Sequence, residues 1–407
     1  MPAALPRETR PRAPGLYLHL PFCSSICPYC DFSVRRAGVP ARKRFVDHLV
    51  AEVPLAASEW TDPTPFDTVY FGGGTPSLLP SVDLARVLDA CREHLPLAPA
   101  PWVFLEANPE DATPETCAAW RALGVRTVSL GVQSFSDDAL RLLGRRHDGR
   151  RARAATETAL DAGFDTVSVD LIFGLPGQTE EAWRRDLEAV VDLAPGHVSC
   201  YQLTIHPRTP FGVSARRGQL SEMPEDEQAL LFDLTHRVFA DGGLPAYEVS
   251  SFARSHEHES RHNRKYWDHT PYLGLGPSAH SLATADPGGT LLAHRWWNER
   301  STPGWERRVV AGERPVEGEE RLGPKAVATE ALLLGLRTTA GIDLDGFMAR
   351  HGIDLLAAND ALVARLVAEG RLVVRSGPKG GRRLVPTRSG LAVADGLAAA
   401  FDLPLPS

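Results

Sequence analysis

The sequence has few of the features that support a disulfide-bonded, membrane-spanning or nucleic-acid-binding protein. Cysteine accounts for only 6 of 407 residues, which excludes a scaffold held together by disulfides. No apolar run approaches the roughly 18 residues that a membrane-spanning helix requires, so we expect a protein that does not span a membrane. The formal net charge of −7 and the pI near 6.1 exclude the general basic excess that favours nucleic acids.

The amino-terminal residues also lack the apolar segment of a targeting signal. Residues 1–15 are rich in proline, alanine and arginine, and we expect a disordered lead. Without a targeting signal the protein is predicted to be cytoplasmic, and thiols stay reduced in that compartment. The length and a hydrophobic content of 43% suit two domains. We place them at residues 16–300 and 325–407, with a connector at 301–324.

Three of the six cysteines are close together. Cys23, Cys27 and Cys30 follow a strand-like segment, Leu16–Leu20, in a C-x3-C-x2-C spacing. Three soft thiolates, with no fourth cysteine or histidine in the same stretch, can hold three corners of a [4Fe-4S] cluster and leave one iron open to a ligand. A structural zinc site is the alternative, but such a site normally has four protein ligands. The other three cysteines lie apart, in contexts typical of buried thiols.

The first large domain alternates strands with amphipathic helices. This alternation predicts right-handed βαβ crossovers and therefore an α/β fold with a parallel sheet. Polar side chains at the carboxyl ends of such strands would converge on one face. The predicted strands are Leu16–Leu20, Asp67–Phe71, Trp102–Ala107, Thr127–Gly131, Thr166–Ile172 and His197–Leu203, and the helices between them are Ala41–Ala57, Ser81–His94, Pro114–Leu123, Arg150–Ala162 and Thr179–Leu193.

The segment from Tyr17 to Phe32, YLHLPFCSSICPYCDF, resembles the radical S-adenosylmethionine (SAM) superfamily, in particular the anaerobic coproporphyrinogen oxidases and their relatives. The resemblance implies a partial (β/α)6 barrel with a [4Fe-4S] cluster and SAM as cofactors. It further implies that SAM chelates the open iron and that electron transfer from the cluster cleaves SAM to a deoxyadenosyl radical. An electron donor such as flavodoxin or ferredoxin would then be a partner.

The resemblance extends to elements that follow the next strands. Gly72-Gly73-Gly74-Thr75-Pro76 ends the second strand, where missing β-carbons let backbone groups approach a ligand closely. Asp170 is an acid in an apolar run and needs a partner there. From the residues alone, Arg145 would be a solvated helix residue. The SAM-binding residues that the resemblance implies are Tyr17, Gly73, Gly74, Thr75, Glu106, Gln133, Arg145 and Asp170.

The carboxyl-terminal region predicts a smaller α+β domain. Residues 302–324 are rich in glycine, proline, glutamate and arginine without periodicity, which indicates an extended connector. The helices and hairpin beyond it resemble the winged-helix-like domain of the same oxidase group. The wing carries a modest basic cluster of Arg375, Lys379, Arg382 and Arg383, so we expect a lid or docking role and no nucleic-acid binding. The predicted helices are Ala326–Leu336, Leu344–His351, Ala357–Glu369 and Gly390–Phe401, and the strands are Arg371–Arg375 and Arg382–Pro386.

Two features separate the chain from the true oxidases. Those enzymes have another cysteine two residues after the third, where this chain has Phe32. The HNxxYW element that begins at His262 resembles the haem-chaperone branch of the family. That likeness implies haem as a ligand, haem-acceptor proteins as partners and His262 as a haem contact. An imidazole can ligate haem iron, but His262 could also cap a loop while Tyr266 and Trp267 fill core, and His206 and His280 are further candidates.

We therefore predict a haem chaperone that keeps the cluster and the SAM site and lacks coproporphyrinogen oxidase activity. The alternative is an oxygen-independent coproporphyrinogen III oxidase, or another radical enzyme, that abstracts hydrogen through a deoxyadenosyl radical. Substrate turnover coupled to deoxyadenosine release would distinguish the two. No residue is assigned as catalytic.

The cysteine triplet generates a first test. Cys27→Ala should abolish the site-differentiated cluster, because two thiolates remain where the loop needs three. Iron analysis and EPR after anaerobic reconstitution measure this. Cys117→Ala, outside the triplet, is the matched control and should keep the cluster. An intact cluster in Cys27→Ala would contradict the assignment.

Overall fold

Six parallel strands run in sequence order through the centre of one sheet, with helices connecting them. The computed structural model describes residues 13–285, 291–377 and 380–404. The predicted α/β fold with a parallel sheet is confirmed. The central strands are β1 (Gly15–Leu20), β2 (Phe66–Gly73), β3 (Leu97–Ala107), β4 (Val125–Gln133), β5 (Thr166–Phe173) and β6 (His197–Gln202). The helices between them are α1 (Val39–Ala57), α2 (Ser81–His94), α3 (Pro114–Ala122), α4 (Asp137–Leu142), α5 (Gly149–Asp161) and α6 (Glu180–Leu193).

The central strands are buried on both faces, as helix-covered parallel strands are. In β5, for example, seven of eight residues are buried. A side-chain cap precedes α6: the Thr179 hydroxyl accepts a hydrogen bond from the Ala182 amide at 3.1 Å. Trp120 and Trp183 are completely enclosed between helices and sheet. Within the described residues, no helix is long and apolar enough to cross a membrane.

The sheet continues on both sides of the six predicted strands. On one side, β8 (Tyr272–Leu275) pairs in parallel with β1, and the antiparallel strands β9 (His280–Ala285), β10 (Leu292–Asn298) and β11 (Val316–Leu322) follow it outward. On the other side, β7 (Ser251–Ala253) pairs antiparallel with β6. The helices of the same region are α7 (Pro210–Arg216), α8 (Glu225–Asp241), α9 (Asn263–Trp267) and α10 (Thr302–Val310). The sequence analysis did not predict them.

One segment predicted to be irregular has regular structure. The expected connector, residues 301–324, contains α10 and β11, and β11 pairs antiparallel with β10. That prediction is wrong because Trp305 is fully buried against Phe45, with ring centroids 4.9 Å apart, which anchors an otherwise polar stretch. Of the expected disordered lead, residues 1–12 lie outside the described residues, while Gly15 begins β1.

The carboxyl-terminal region forms a second apolar core, between Ala328 and Leu403. Two predicted helices are each interrupted: residues 357–369 divide at Asn359, and residues 390–401 divide near Val393. The predicted hairpin strands are present, whereas Lys379 of the expected basic wing lies outside the described residues. The elements are α11 (Pro324–Leu336), β12 (Ile342–Asp343), α12 (Leu344–His351), α13 (Leu355–Ala358), α14 (Asp360–Ala368), β13 (Leu372–Ser376), β14 (Arg382–Pro386), α15 (Arg388–Leu391) and α16 (Ala394–Ala399).

A buried carboxylate fastens the added strands to the barrel. Glu52 of α1 accepts hydrogen bonds from the Gly276 amide at 2.7 Å, the Asn298 amide nitrogen at 2.6 Å and the Trp305 indole at 3.1 Å. Burial raises the pKa of Glu52 to about 7, against the three donors that lower it. One side chain thus satisfies donors from three later parts of the chain.

Glu52→Ala should destabilise the protein by at least about 3 kcal/mol, because a buried donor left unsatisfied costs about 1–3 kcal/mol and three donors lose their acceptor. Urea denaturation of the full chain measures the free energy of unfolding. Glu93→Ala, an exposed carboxylate on α2, is the control and should change that free energy by no more than about 0.5 kcal/mol. Equal stability of the two variants would refute the role of Glu52.

Candidate cofactor-binding site

The three clustered cysteines lie in a loop at the carboxyl end of β1. All three are partly exposed and unpaired. The loop is held at its base by the Cys23 amide, which donates to the Arg35 carbonyl at 3.0 Å, and by the Arg35 amide, which donates to the Pro21 carbonyl at 2.7 Å. The remaining cysteines, Cys91, Cys117 and Cys200, are free and buried, as predicted.

The surroundings of these thiols fit a [4Fe-4S] cluster. The Thr75 hydroxyl donates to Cys23 Sγ at 3.7 Å, and Arg145 Nη1 donates to Cys27 Sγ at 3.5 Å. Both contacts favour thiolates. Burial raises the pKa of Cys23 to about 11 and also raises that of Cys30, so metal binding must displace protons.

The glycine triplet at the end of β2 packs directly on the start of the cysteine loop. The Gly74 amide donates to the Leu20 carbonyl at 2.8 Å, and the Thr75 amide donates to the Phe22 carbonyl at 2.7 Å. A β-carbon on Gly74 would lie 2.6 Å from the Phe22 carbonyl oxygen. Gly73 has a φ of 112°, a conformation that L side chains rarely adopt. Only glycines permit this contact between the two loops.

Two partly buried carboxylates lie on β3 and β5. Glu106 accepts a hydrogen bond from the Gly73 amide at 3.0 Å and from the Tyr70 hydroxyl at 2.9 Å. Asp170 accepts from the Ser129 hydroxyl at 2.9 Å. Burial raises the pKa of Glu106 to about 7 and that of Asp170 to about 6, and the charge of Asp170 raises the pKa of Glu106 further. The two acids therefore favour a positively charged group of a ligand.

Arg145 points inward, unlike the exposed Arg146 beside it. Its Nη2 donates to Asn108 Oδ1 and to the Gly131 carbonyl, both at 2.7 Å, while its buried Nε has no hydrogen-bond partner in the described chain. Arg145 is therefore not the solvated helix residue that its local sequence indicated. It points inward because its two acceptors come from the ends of β3 and β4. An unsatisfied buried donor costs about 1–3 kcal/mol and is suited to a ligand acceptor.

Gln133 and Tyr17 complete the predicted set. Gln133 ends β4 with a φ of 69°, and its Nε2 lies 3.0 Å from the position of a β-carbon on Gly131. Tyr17 lies deeper, within β1, where its hydroxyl is 3.1 Å from His19 Nδ1. Tyr17, Gly73, Glu106, Gln133 and Asp170 thus lie on strands that are neighbours in the sheet, β1 to β5. Gly74 and Thr75 follow β2, and Arg145 follows α4.

The chain is similar to known proteins in both sequence and fold. The model of the radical SAM superfamily matches residues 17–190, and that of the HemN C-terminal domain matches residues 322–393. The structure of coproporphyrinogen III oxidase (HemN) from Escherichia coli has the same fold, with a TM-score of 0.79 over 96% of this chain and 90% of that one, at 20% identity. The protein named heme chaperone HemW in Mycobacterium tuberculosis strain H37Rv is 38% identical over 384 residues, 94% of this chain and 93% of the relative.

The chain belongs to the HemW family of radical SAM proteins. Another relative with that name, from Escherichia coli K12, is 34% identical over 75% of this chain and 79% of its own length. The predicted family is thus confirmed, together with the radical SAM barrel and the carboxyl-terminal domain.

In this HemW chain, His262 does not lie where a haem could reach it. Its side chain is 1% exposed, Nδ1 is 2.9 Å from the Thr68 hydroxyl and Nε2 is 3.0 Å from the Tyr266 hydroxyl. Burial lowers its pKa to about 3. Both ring nitrogens are hydrogen-bonded within the protein, so the predicted haem contact at His262 has no support. As for the alternative, the His262 side chain makes no cap hydrogen bond, and Tyr266 and Trp267 are partly buried.

Two contributors to the site were not assigned to it from the sequence. Tyr70 orients Glu106 through its hydroxyl. Asn108 accepts a hydrogen bond from Arg145 at Oδ1 and donates from Nδ2 to the Thr75 hydroxyl at 3.3 Å, so it joins the two residues. Tyr70 carries a signal that could have identified it, because it precedes Gly72 by two residues and strand side chains at that spacing share a face. Asn108 immediately follows β3, where polar residues were expected to converge.

Gly73→Val should weaken SAM binding roughly tenfold or more, because backbone strain costs about 1–3 kcal/mol and a β-carbon would lie 2.6 Å from the His19 ring. Isothermal titration of the cluster-loaded protein with SAM measures the affinity. Gly124→Val is the control: Gly124 has a φ of 90° with nothing within 4 Å, so it shares the strain without the collision. Unchanged SAM affinity in Gly73→Val would remove this glycine from the site.

Proposed function

We propose that this protein is a haem chaperone that binds haem, a [4Fe-4S] cluster and SAM, and that delivers haem to acceptor proteins. The observation that carries the proposal is the 38% identity over 94% of the chain with a relative named heme chaperone HemW. The likeness covers both the barrel and the carboxyl-terminal region. Fold alone would not support it, because the oxidase HemN has the same fold.

Phe32 supports the proposal independently. It occupies the position where the resemblance places a further cysteine in the oxidases, and its side chain is 72% exposed beside the cluster loop. A phenyl group can neither ligate metal nor exchange protons. An exposed aromatic residue is instead suited to contact with a flat apolar ligand or a partner protein.

The residues around the two loops would hold the cofactors. Cys23, Cys27 and Cys30 would bind the cluster, which when loaded supplies an electron to SAM. Gly73 and Gly74 would let the SAM amino group approach the backbone, and Thr75 would order the loop. The remaining residues of the set would contact SAM through carboxylate, amide, guanidinium and phenol groups; these are Glu106, Asp170, Gln133, Arg145 and Tyr17.

The partners follow from the same proposal. A cluster that is reduced repeatedly needs an electron donor such as flavodoxin or ferredoxin, and haem delivery needs an acceptor protein. Thiols with pKa values raised by burial remain reduced in the cytoplasm, which is the compartment we assign. No nucleic acid enters the proposal.

A radical oxidase is the second candidate, and the presence of all eight predicted SAM-binding residues favours it. Coproporphyrinogen III oxidation through a deoxyadenosyl radical would use that same set. The oxidase and the chaperone differ in what happens to the porphyrin: the oxidase changes it chemically, whereas the chaperone releases it intact.

The deciding experiment is anaerobic, with the cluster reconstituted. Haem is titrated by absorbance, and coproporphyrinogen conversion is then assayed in the same sample with SAM and reductant. We expect stoichiometric haem binding without conversion. Conversion with deoxyadenosine release would overturn the chaperone proposal, and the Cys27→Ala variant provides the control without a complete cluster ligand set.

A further inference from the structure

A haem chaperone needs an exposed side chain that can ligate iron, and six of the fourteen histidines of this chain are buried. This inference rests on the proposed function. His19, His147, His197, His236 and His269 are buried, as is His262. Exposed imidazoles include those of His206, His256 and His280. Their positions on the fold decide between them.

His206 lies in the loop after β6, at the edge of the sheet that carries the cysteines. Its side chain is 46% exposed, and Nδ1 is 3.8 Å from Asp31 Oδ2. Asp31 directly follows Cys30, the third cysteine of the cluster loop. Metal-bound histidines commonly present the second ring nitrogen to a carboxylate, which fixes the ring and raises its basicity. This arrangement leaves Nε2 of His206 for iron.

The surface around this pair has the chemistry of a haem site. Exposed apolar side chains flank it: Phe32 follows Asp31, and Tyr201 at the end of β6 is 46% exposed. Cations are near for the haem propionates, because Arg300 Nη2 lies 3.5 Å from the Asp31 carbonyl and Arg208 is exposed two residues after His206. Arginine is well suited to carboxylates.

We propose that His206 Nε2 is an axial ligand of haem iron at the cysteine-bearing edge of the barrel, with Asp31 as a positioning residue on the other ring nitrogen. The haem would then lie against the outer side of the cluster loop. Phe32 would cover part of the macrocycle. Arg208 and Arg300 would pair with the propionates.

The other exposed histidines fit this role less well. His256 also faces a carboxylate, with Nδ1 3.1 Å from Glu259, but its loop follows β7 beside the start of β6, at the opposite edge of the sheet. The ring of His280 stacks on the indole of Trp297, with centroids 5.9 Å apart, so an aromatic ring takes the place of a carboxylate. Only His206 among these three contacts the cluster loop.

The test compares three alanine variants of the reconstituted full chain: His206→Ala, with His256→Ala and His280→Ala as controls. Haem is titrated by absorbance, and the Soret band and haem EPR report the axial ligand. His206→Ala should lose the histidine-ligated spectrum and bind haem at least tenfold more weakly, and added imidazole should restore the spectrum. Asp31→Asn should weaken binding by about tenfold to hundredfold while keeping histidine ligation. Both controls should match the wild type, and cluster iron should be equal in all variants.

An unchanged spectrum and affinity in His206→Ala would overturn the assignment, as would loss of histidine ligation in His280→Ala alone. These outcomes differ from failure of the proposed function. If the wild-type protein binds no haem, the chaperone proposal fails. If the wild type binds haem and His206→Ala binds it identically, only the ligand assignment fails.

Discussion

The site depends on one backbone contact, that between the glycine loop after β2 and the cysteine loop after β1. Two amides, of Gly74 and Thr75, donate to carbonyls of Leu20 and Phe22 at 2.8 and 2.7 Å. No side chain could fit between these backbones. The contact fixes the cysteines relative to the carboxylate of Glu106, which holds the Gly73 amide. The predicted cluster ligands and Glu106, a predicted SAM contact, are therefore positioned by the same few atoms.

Charge is distributed in a simple way around these loops. Acids with raised pKa values, Glu106 and Asp170, lie within the sheet, and the guanidinium of Arg145 lies beside Cys27. The guanidinium stabilises negative charge on the thiolate, and the acids stabilise positive charge on a ligand. A molecule that carries both an amine and a carboxylate can satisfy both regions at once. The acids are held in hydrogen bonds before a ligand arrives, which reduces the reorganisation that binding requires.

Much of the barrel could be predicted from sequence because its strands are continuous apolar runs between amphipathic helices. The added strands could not, since β11 is rich in charge and shows no apolar alternation. Local sequence patterns also did not predict contacts between residues that are distant in the chain. Thr68, whose hydroxyl is hydrogen-bonded to the His262 ring, is 194 residues away in the chain. The acceptors that turn Arg145 inward come from two different strands. The site residues themselves were predicted from short motifs, which can be recognised without knowledge of such contacts.

The order of strands has a consequence for how this sheet ends. β11 is an outermost strand of an eleven-stranded sheet in the described structure, and it carries Glu317, Glu319, Glu320 and Arg321. An outer strand offers unpaired amides and carbonyls to any extended chain nearby. Charged side chains make such pairing unfavourable, so β11 protects a large sheet from growing by addition of foreign strands.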